Sequence, residues 1–343
     1  VNKSINIYQQ NGYLNVDPIA LDPSWLKVII GARQVGKTYN TLLYYLEKRS
    51  PFILLRRTTE ELDMIQSAEL NPFKAFEPVG YNVGIYKRGK LLTINDYNKE
   101  EPDKPQDPRG LVLSLPQIAH IRGFSGSGYD AMVFDEFIPE KGVRVLKSEG
   151  AALLNAYTTI NGNRELEGRP PLTLWLLANS NDLNSPILEA LNLTDDIITM
   201  RVKGLEVLQK PGVIIVQPFS KGVIDRRKDT ALMKQISKES EFYGMAINNE
   251  FSYNRSPLVK NQSIKGYKPL FSYDNKIYAW EGPNQIFICK APHKVSKYGS
   301  SEFDRASLAT DFFWIRRAYD CGLVNFSDHR MLILFQWLFD IDY

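Results

Sequence analysis

Gly31-Ala32-Arg33-Gln34-Val35-Gly36-Lys37-Thr38 fits the pattern G-x-x-x-x-G-K-[ST], and its flanks give it a structural setting. Before it, Trp25 to Ile30 is a short, mostly apolar run of the kind that forms a buried strand. After it, Tyr39 to Lys48 carries Leu42, Leu43, Tyr45 and Leu46 at roughly helical spacing. Strand, glycine loop, helix is the order that phosphate binding requires. Glycines let the backbone wrap phosphate oxygens, while loop N–H groups and the helix N-terminus supply positive potential. The pattern assigns Gly31, Ala32, Arg33, Gln34, Val35 and Gly36 to the cradle. It assigns Lys37 to the β- and γ-phosphates and the Thr38 hydroxyl to Mg²⁺. ATP and Mg²⁺ are the expected ligands.

Tyr129-Asp130-Ala131-Met132-Val133-Phe134-Asp135-Glu136 is the second informative stretch, a hydrophobic strand ending in two carboxylates. Asp135 suits the Walker-B role of orienting the Mg²⁺ shell, and Glu136 suits the general base that polarises the attacking water. An acid pair at a strand end also suits a helix N-cap. Its place about 95 residues beyond a phosphate loop favours the Walker-B reading. The adjacent Glu points to an ATPase of the additional-strand (ASCE) P-loop class rather than a kinase. A mainly parallel α/β sheet follows as the expected fold.

Further strands are expected at Pro51–Leu55, Leu111–Leu115, Leu172–Ala178, Ile197–Val202 and Val213–Val216, making a sheet of about seven. Asn179 ends one of them, where ligands lie in open α/β sheets, so it is a candidate γ-phosphate sensor; a strand-terminating turn explains it as well. Tyr81 to Asn95 has the pattern of a β-hairpin turning at Arg88-Gly89, with Lys87, Arg88 and Lys90 concentrating charge at its tip. The expected organisation is an ATPase domain over 1–216, a basic linker subdomain over 217–255 with Arg226, Arg227 and Lys228, and a small α+β domain over 256–343.

Composition is that of an ordinary globular chain, 43% hydrophobic and 24% charged over 343 residues. No apolar run approaches the ~20 residues that span a bilayer, so no membrane role is expected. The start shows no apolar h-region. Two cysteines provide no disulfide framework, and His120, His293 and His329 lack zinc-ligand spacing. Net charge is +3, unevenly distributed: residues 1–200 hold 21 Lys/Arg against 24 Asp/Glu, and residues 201–343 hold 21 against 15. A basic C-terminal part suits an anionic polymer as partner, or a well-solvated surface.

Ring ATPases complete each site with an arginine from a neighbouring subunit. By chain order Arg164, after the helix that follows the Walker-B strand, and Arg122, in the loop before it, are candidates. A surface salt bridge is the alternative for each.

Together the early phosphate loop, Leu54-Leu55-Arg56-Arg57, Val133-Phe134-Asp135-Glu136-Phe137-Ile138, Asn163-Arg164-Glu165 and Leu177-Ala178-Asn179-Ser180 resemble the genome-packaging ATPases of phi-twenty-nine-type small tailed phages, related to large terminases. The resemblance is strongest over about 25 to 200. It implies a homomeric ring, usually pentameric, docked on a procapsid portal in the host cell cytoplasm, directly or through a structural RNA. Such a ring drives double-stranded DNA inward at the expense of ATP. It also implies an RNase H-like C-terminal domain that has lost its nuclease acids. It places trans-acting positions near Arg122 and near Gly162 to Arg164. Two alternatives stay open: a packaging ATPase with an active C-terminal nuclease, and a nucleotide-gated DNA-binding scaffold.

Overall fold

A computed structural model describes residues 5–67, 70–88, 91–97, 107–118, 126–139, 143, 145, 148–179, 185–237, 243, 258–259, 262–283, 285–320 and 322–341. The chain folds as two compact units, one of Val1–Leu191 and Met200–Ser252, the other of Asn192–Thr199 and Tyr253–Tyr343. The stretch expected to be a separate linker subdomain is grouped, as far as residue 252, with the first unit.

The first unit is built on a nine-stranded sheet: β1 Leu26–Gly31, β2 Phe52–Arg56, β3 Val83–Arg88, β4 Leu91–Asp96, β5 Pro108–Ser114, β6 Ala131–Asp135, β7 Thr173–Asn179, β8 Val207–Lys210 and β9 Val213–Val216. Their order is β3-β4-β5-β2-β6-β7-β1-β9-β8. The six strands from β5 to β9 in that order run parallel, and antiparallel strands close both edges. β7 is inserted between β1, which leads into the glycine loop, and β6, which ends in Asp135, and this is the additional-strand arrangement. Strands β1 and β6 are buried along their whole length, as expected of parallel strands covered on both faces. Trp175 on β7 is fully buried, and its indole N–H donates to the Tyr45 hydroxyl at 2.7 Å, tying the sheet to the helix that follows the phosphate loop. The strand-rich α/β class is as expected, with two strands more than the count of seven. Thr194–Val202 is a helix, not a strand: its alternation of apolar and polar residues is too short to separate the two periods.

The basic stretch after β9 begins with a helix, Lys221–Lys228, capped by the Ser220 hydroxyl, which accepts from the Val223 N–H. A second short helix, Ala231–Gln235, follows.

The other unit is α+β. Its strands β10 Lys268–Tyr273, β11 Ile277–Glu281, β12 Ile286–Cys289, β13 Lys297–Tyr298 and β14 Val324–Phe326 form a sheet in the order β13-β10-β11-β12-β14. Helices Glu302–Asp311, Trp314–Asp320 and His329–Leu338 supply Leu308, Ile315, Tyr319 and Phe335 to one core with apolar residues of the strands. Among the described residues no group of three His, Cys, Asp or Glu side chains is placed to hold a metal ion. No described helix is long and apolar enough to cross a membrane.

Candidate nucleotide site

β1 runs straight into the glycine loop, and the loop into the helix Lys37–Glu47. Two residues of the loop have left-handed backbone, Gln34 at φ 60° and Gly36 at φ 93°. At Gly36 a Cβ would also stand 2.5 Å from Asn40 Nδ2, whose amide donates to the Leu14 carbonyl at 2.8 Å. Only glycine meets both demands without cost. Leu14 N–H in turn donates to Val35 O at 2.9 Å, so the N-terminal segment is bonded to the loop.

The Lys37 ammonium is buried and donates to Gly31 O at 3.0 Å, Ala32 O at 2.7 Å and Asn179 Oδ1 at 3.0 Å. Burial lowers its pKa to about 7 against the pull of Asp135 and Glu136, and Arg227 and Arg33 lower it further. Asn179 reaches Lys37 because β7 pairs with β1 in the register Gly31↔Asn179. The Thr38 hydroxyl donates to Asp135 Oδ1 at 2.7 Å. Glu136, the next residue, has φ 55°, a strained value for a non-glycine residue and of a kind that collects at functional sites. Its side chain is 60% exposed beside a buried Asp135. Arg33, Gln34, Gly36, Lys37, Thr38, Asp135, Glu136 and Asn179 all line one cavity of about 330 Å³. These eight candidate residues thus meet in one place, while Gly31, Ala32 and Val35 of the loop are not among its lining.

A hydroxyl and a carboxylate side by side fit Mg²⁺, which binds through one or two protein oxygens plus phosphate oxygens and water. Thr38 and Asp135 would hold it.

The sequence reading gives Arg56 no role beyond the family resemblance, and the fold brings it into the site. It ends β2, beside β6, with Nη1 3.2 Å from Asp135 Oδ2 and 3.8 Å from Glu136 Oε2. The available signal was a charged residue at the carboxyl end of a buried parallel strand. Arg57, next to it, faces elsewhere: it pairs with Glu149 at 3.0 Å at the start of helix Glu149–Asn161.

Arg164 does not stand on the surface. It is buried, and its guanidinium donates to the carbonyls of Gly126, Ser127 and Tyr129 of the same chain. Arg227, a candidate DNA contact, is half-buried and donates to Arg33 O of the glycine loop at 2.7 Å. Arg226 donates to Asn11 O at 2.8 Å, with its guanidinium 5.7 Å from the centre of the Tyr13 ring, and Lys228 pairs with Asp225. Lys87 and Arg88 are exposed at the hairpin, as expected; Lys90 and Arg122 lie outside the described residues.

The family profile of the Podovirus DNA encapsidation protein (Gp16) matches residues 8–297. Two solved structures resemble the chain over nearly its whole length. The phi-28 gp11 DNA packaging motor has 16% identity and a TM-score of 0.61, with 97% of this chain and 100% of that one covered. The bacteriophage phi-29 viral genome packaging motor assembly has 20% identity and a TM-score of 0.63, covering 96% and 98%. At these identities the likeness is one of fold. No curated relative matches.

Proposed function

The chain belongs to the Podovirus DNA encapsidation protein (Gp16) family, and on that premise we propose that it is the ATP-hydrolysing subunit of a genome-packaging motor. Its role is DNA packaging, and its fold is that of packaging motor proteins. The observation that carries the enzymatic reading is the convergence of Lys37, Thr38, Asp135 and Glu136 on one cavity at the carboxyl edge of the sheet. Lys37 and the loop N–H groups bind the β- and γ-phosphates, Asn179 holds the Lys37 ammonium in line, and Thr38 with Asp135 would hold Mg²⁺. When bound, that ion neutralises phosphate charge and orients the oxygens. Glu136, exposed at the cavity wall, takes the proton of the attacking water.

Hydrolysis is coupled to movement of double-stranded DNA in a homomeric ring, a pentamer by resemblance, seated at the portal of a procapsid in the host cytoplasm. A structural RNA is one means of that attachment. The exposed Lys87 and Arg88 contact DNA phosphates, and Arg122 and Arg164 are the candidates for the arginine delivered in trans. By resemblance to the family, the second unit serves as a binding domain rather than a nuclease. The test is phosphate release by the purified protein with Mg-ATP, with and without double-stranded DNA and portal particles. DNA-stimulated release supports the reading. An absence of turnover in the assembled motor would leave a nucleotide-gated scaffold.

A further inference from the structure

Four carbonyls of the glycine loop have named donors. Gly31 O and Ala32 O accept from the Lys37 ammonium, Arg33 O accepts from Arg227 Nη1 at 2.7 Å, and Val35 O accepts from the Leu14 N–H at 2.9 Å. Arg227 stands in the last turn of the helix Lys221–Lys228, and Leu14 belongs to the N-terminal segment. These two holders of the loop are tied together. Arg226 donates to Asn11 O at 2.8 Å, and Ser220, the cap of the same helix, gives its hydroxyl to Gly12 O. Asn40 donates to Leu14 O at 2.8 Å and so fixes Leu14 against the helix Lys37–Glu47.

A trans peptide is planar, so its carbonyl and the N–H of the following residue point in opposite directions. No peptide bond of the described chain is cis. Holding Arg33 O therefore sets the direction of the Gln34 N–H, and holding Val35 O sets that of the Gly36 N–H. Gln34 and Gly36 are the two loop residues with left-handed backbone, and both line the phosphate cavity. Gly36 has the freedom to turn, and Gln34 keeps its strained conformation only where its surroundings hold it. Successive N–H groups aimed one way make an anion-binding concavity, and a hydrogen bond weakens steeply when its donor is misaligned.

We propose that Arg227 is a positioning residue for phosphate binding: by holding the Arg33 carbonyl it keeps the Gln34 N–H turned into the cavity, as the Leu14 N–H does for Gly36. The inference rests on the nucleotide reading above and adds a residue that acts through the loop backbone. It gives the guanidinium of a basic helix a task inside its own chain, where the run Arg226-Arg227-Lys228 read by itself suggests a polyanion.

The test titrates the full chain and its variants with ATP and with inorganic tripolyphosphate, at low and at high salt. Arg227→Met removes the donor and keeps most of the apolar stem. It should bind both ligands about tenfold or more weakly, and the loss should persist at high salt, because a misaimed N–H is not a screened charge. Arg227→Lys, which still donates to a carbonyl, should recover most of the affinity. Turnover at saturating Mg-ATP should fall by less than about threefold in Arg227→Met, since binding common to ground and transition states is what is lost. Arg227→Gln, whose amide is too short to reach Arg33 O in the same way, makes the same comparison if the methionine variant does not fold. Wild-type affinity in these variants overturns the proposal, and a DNA salt slope lowered by about 0.9 would then return Arg227 to the DNA contacts. A loss that disappears at high salt also overturns it, since Arg227 would then act only as a nearby charge. A wild-type protein that binds neither ligand rejects the nucleotide reading itself.

Discussion

The Arg56 guanidinium stands 3.2 Å from Asp135 and 3.8 Å from Glu136, bridging the ends of two neighbouring parallel strands. An isolated buried carboxylate costs several kcal/mol, and Arg56 offsets that cost for Asp135. It also tethers the more exposed Glu136 beside it. Arg56→Gln should therefore slow turnover by about tenfold or more while nucleotide affinity changes less, because Glu136 loses its fixed position. Phosphate release measured alongside nucleotide titration separates the effects. Equal losses in both would reduce Arg56 to a brace of the fold.

Glu136 and Lys37 should fail differently. Glu136→Gln keeps the shape of the site but not the base, so ATP binding persists while turnover falls by ~10²-fold or more. Lys37→Ala removes the charge that meets the β- and γ-phosphates and should weaken binding itself. A Glu136→Gln protein that hydrolyses ATP at the wild-type rate would sink the assignment.

Arg164→Ala should act on stability rather than across a subunit interface. It removes the guanidinium donor from the carbonyls of Ser127 and Tyr129, while Gly126 O keeps the Tyr129 N–H at 3.1 Å, and the cost is about 1–3 kcal/mol for each group that stays buried and unpaired. Thermal unfolding should shift down by several degrees. Mixing with Glu136→Gln subunits should not restore activity beyond what dilution predicts. Rescue in such mixtures would return Arg164 to the interface.

Lys27 supplies a pH signature. It sits within β1, 2% exposed, and its ammonium donates to Ile19 O at 2.7 Å and Asp22 O at 2.6 Å. Burial lowers its pKa to about 8, with Asp22 pulling the other way. The folded-state value is below the unfolded one, so the unfolded chain binds more protons between about pH 8 and 10.4, and stability rises with pH there. The gain attributable to Lys27 is at most ~3 kcal/mol across that window. Denaturant unfolding of Lys27→Met compared with the wild type should show this slope missing from the variant. Parallel pH profiles would show that Lys27 does not titrate in the window.

DNA affinity should be insensitive to sequence and steeply dependent on salt. Every phosphate that the protein neutralises adds about 0.9 to the log–log slope, through the counterions it releases. Replacing Lys87 and Arg88 by Gln should flatten the slope by nearly two units and weaken binding uniformly across sequences. An unchanged slope would show that the hairpin carries only solvated charge.

The phosphate loop, the Walker-B strand and the α/β class were legible in the residues because each is a local pattern. A glycine loop between a strand and a helix, or two acids closing an apolar run, is complete within about a dozen positions. The hairpin at Val83–Asp96 was legible for the same reason. What the sequence did not contain was the order in which strands lie side by side. That order sets Asn179 against Lys37 across 142 positions, Arg56 against Asp135, and Arg227 against the loop carbonyl of Arg33. It also turned Arg164 inward, since a guanidinium can donate to backbone carbonyls as well as to a phosphate and no local pattern says which it meets. Side chains carry their chemistry in the sequence, but which groups share a site is decided by sheet register and burial, and these depend on contacts between residues far apart in the chain.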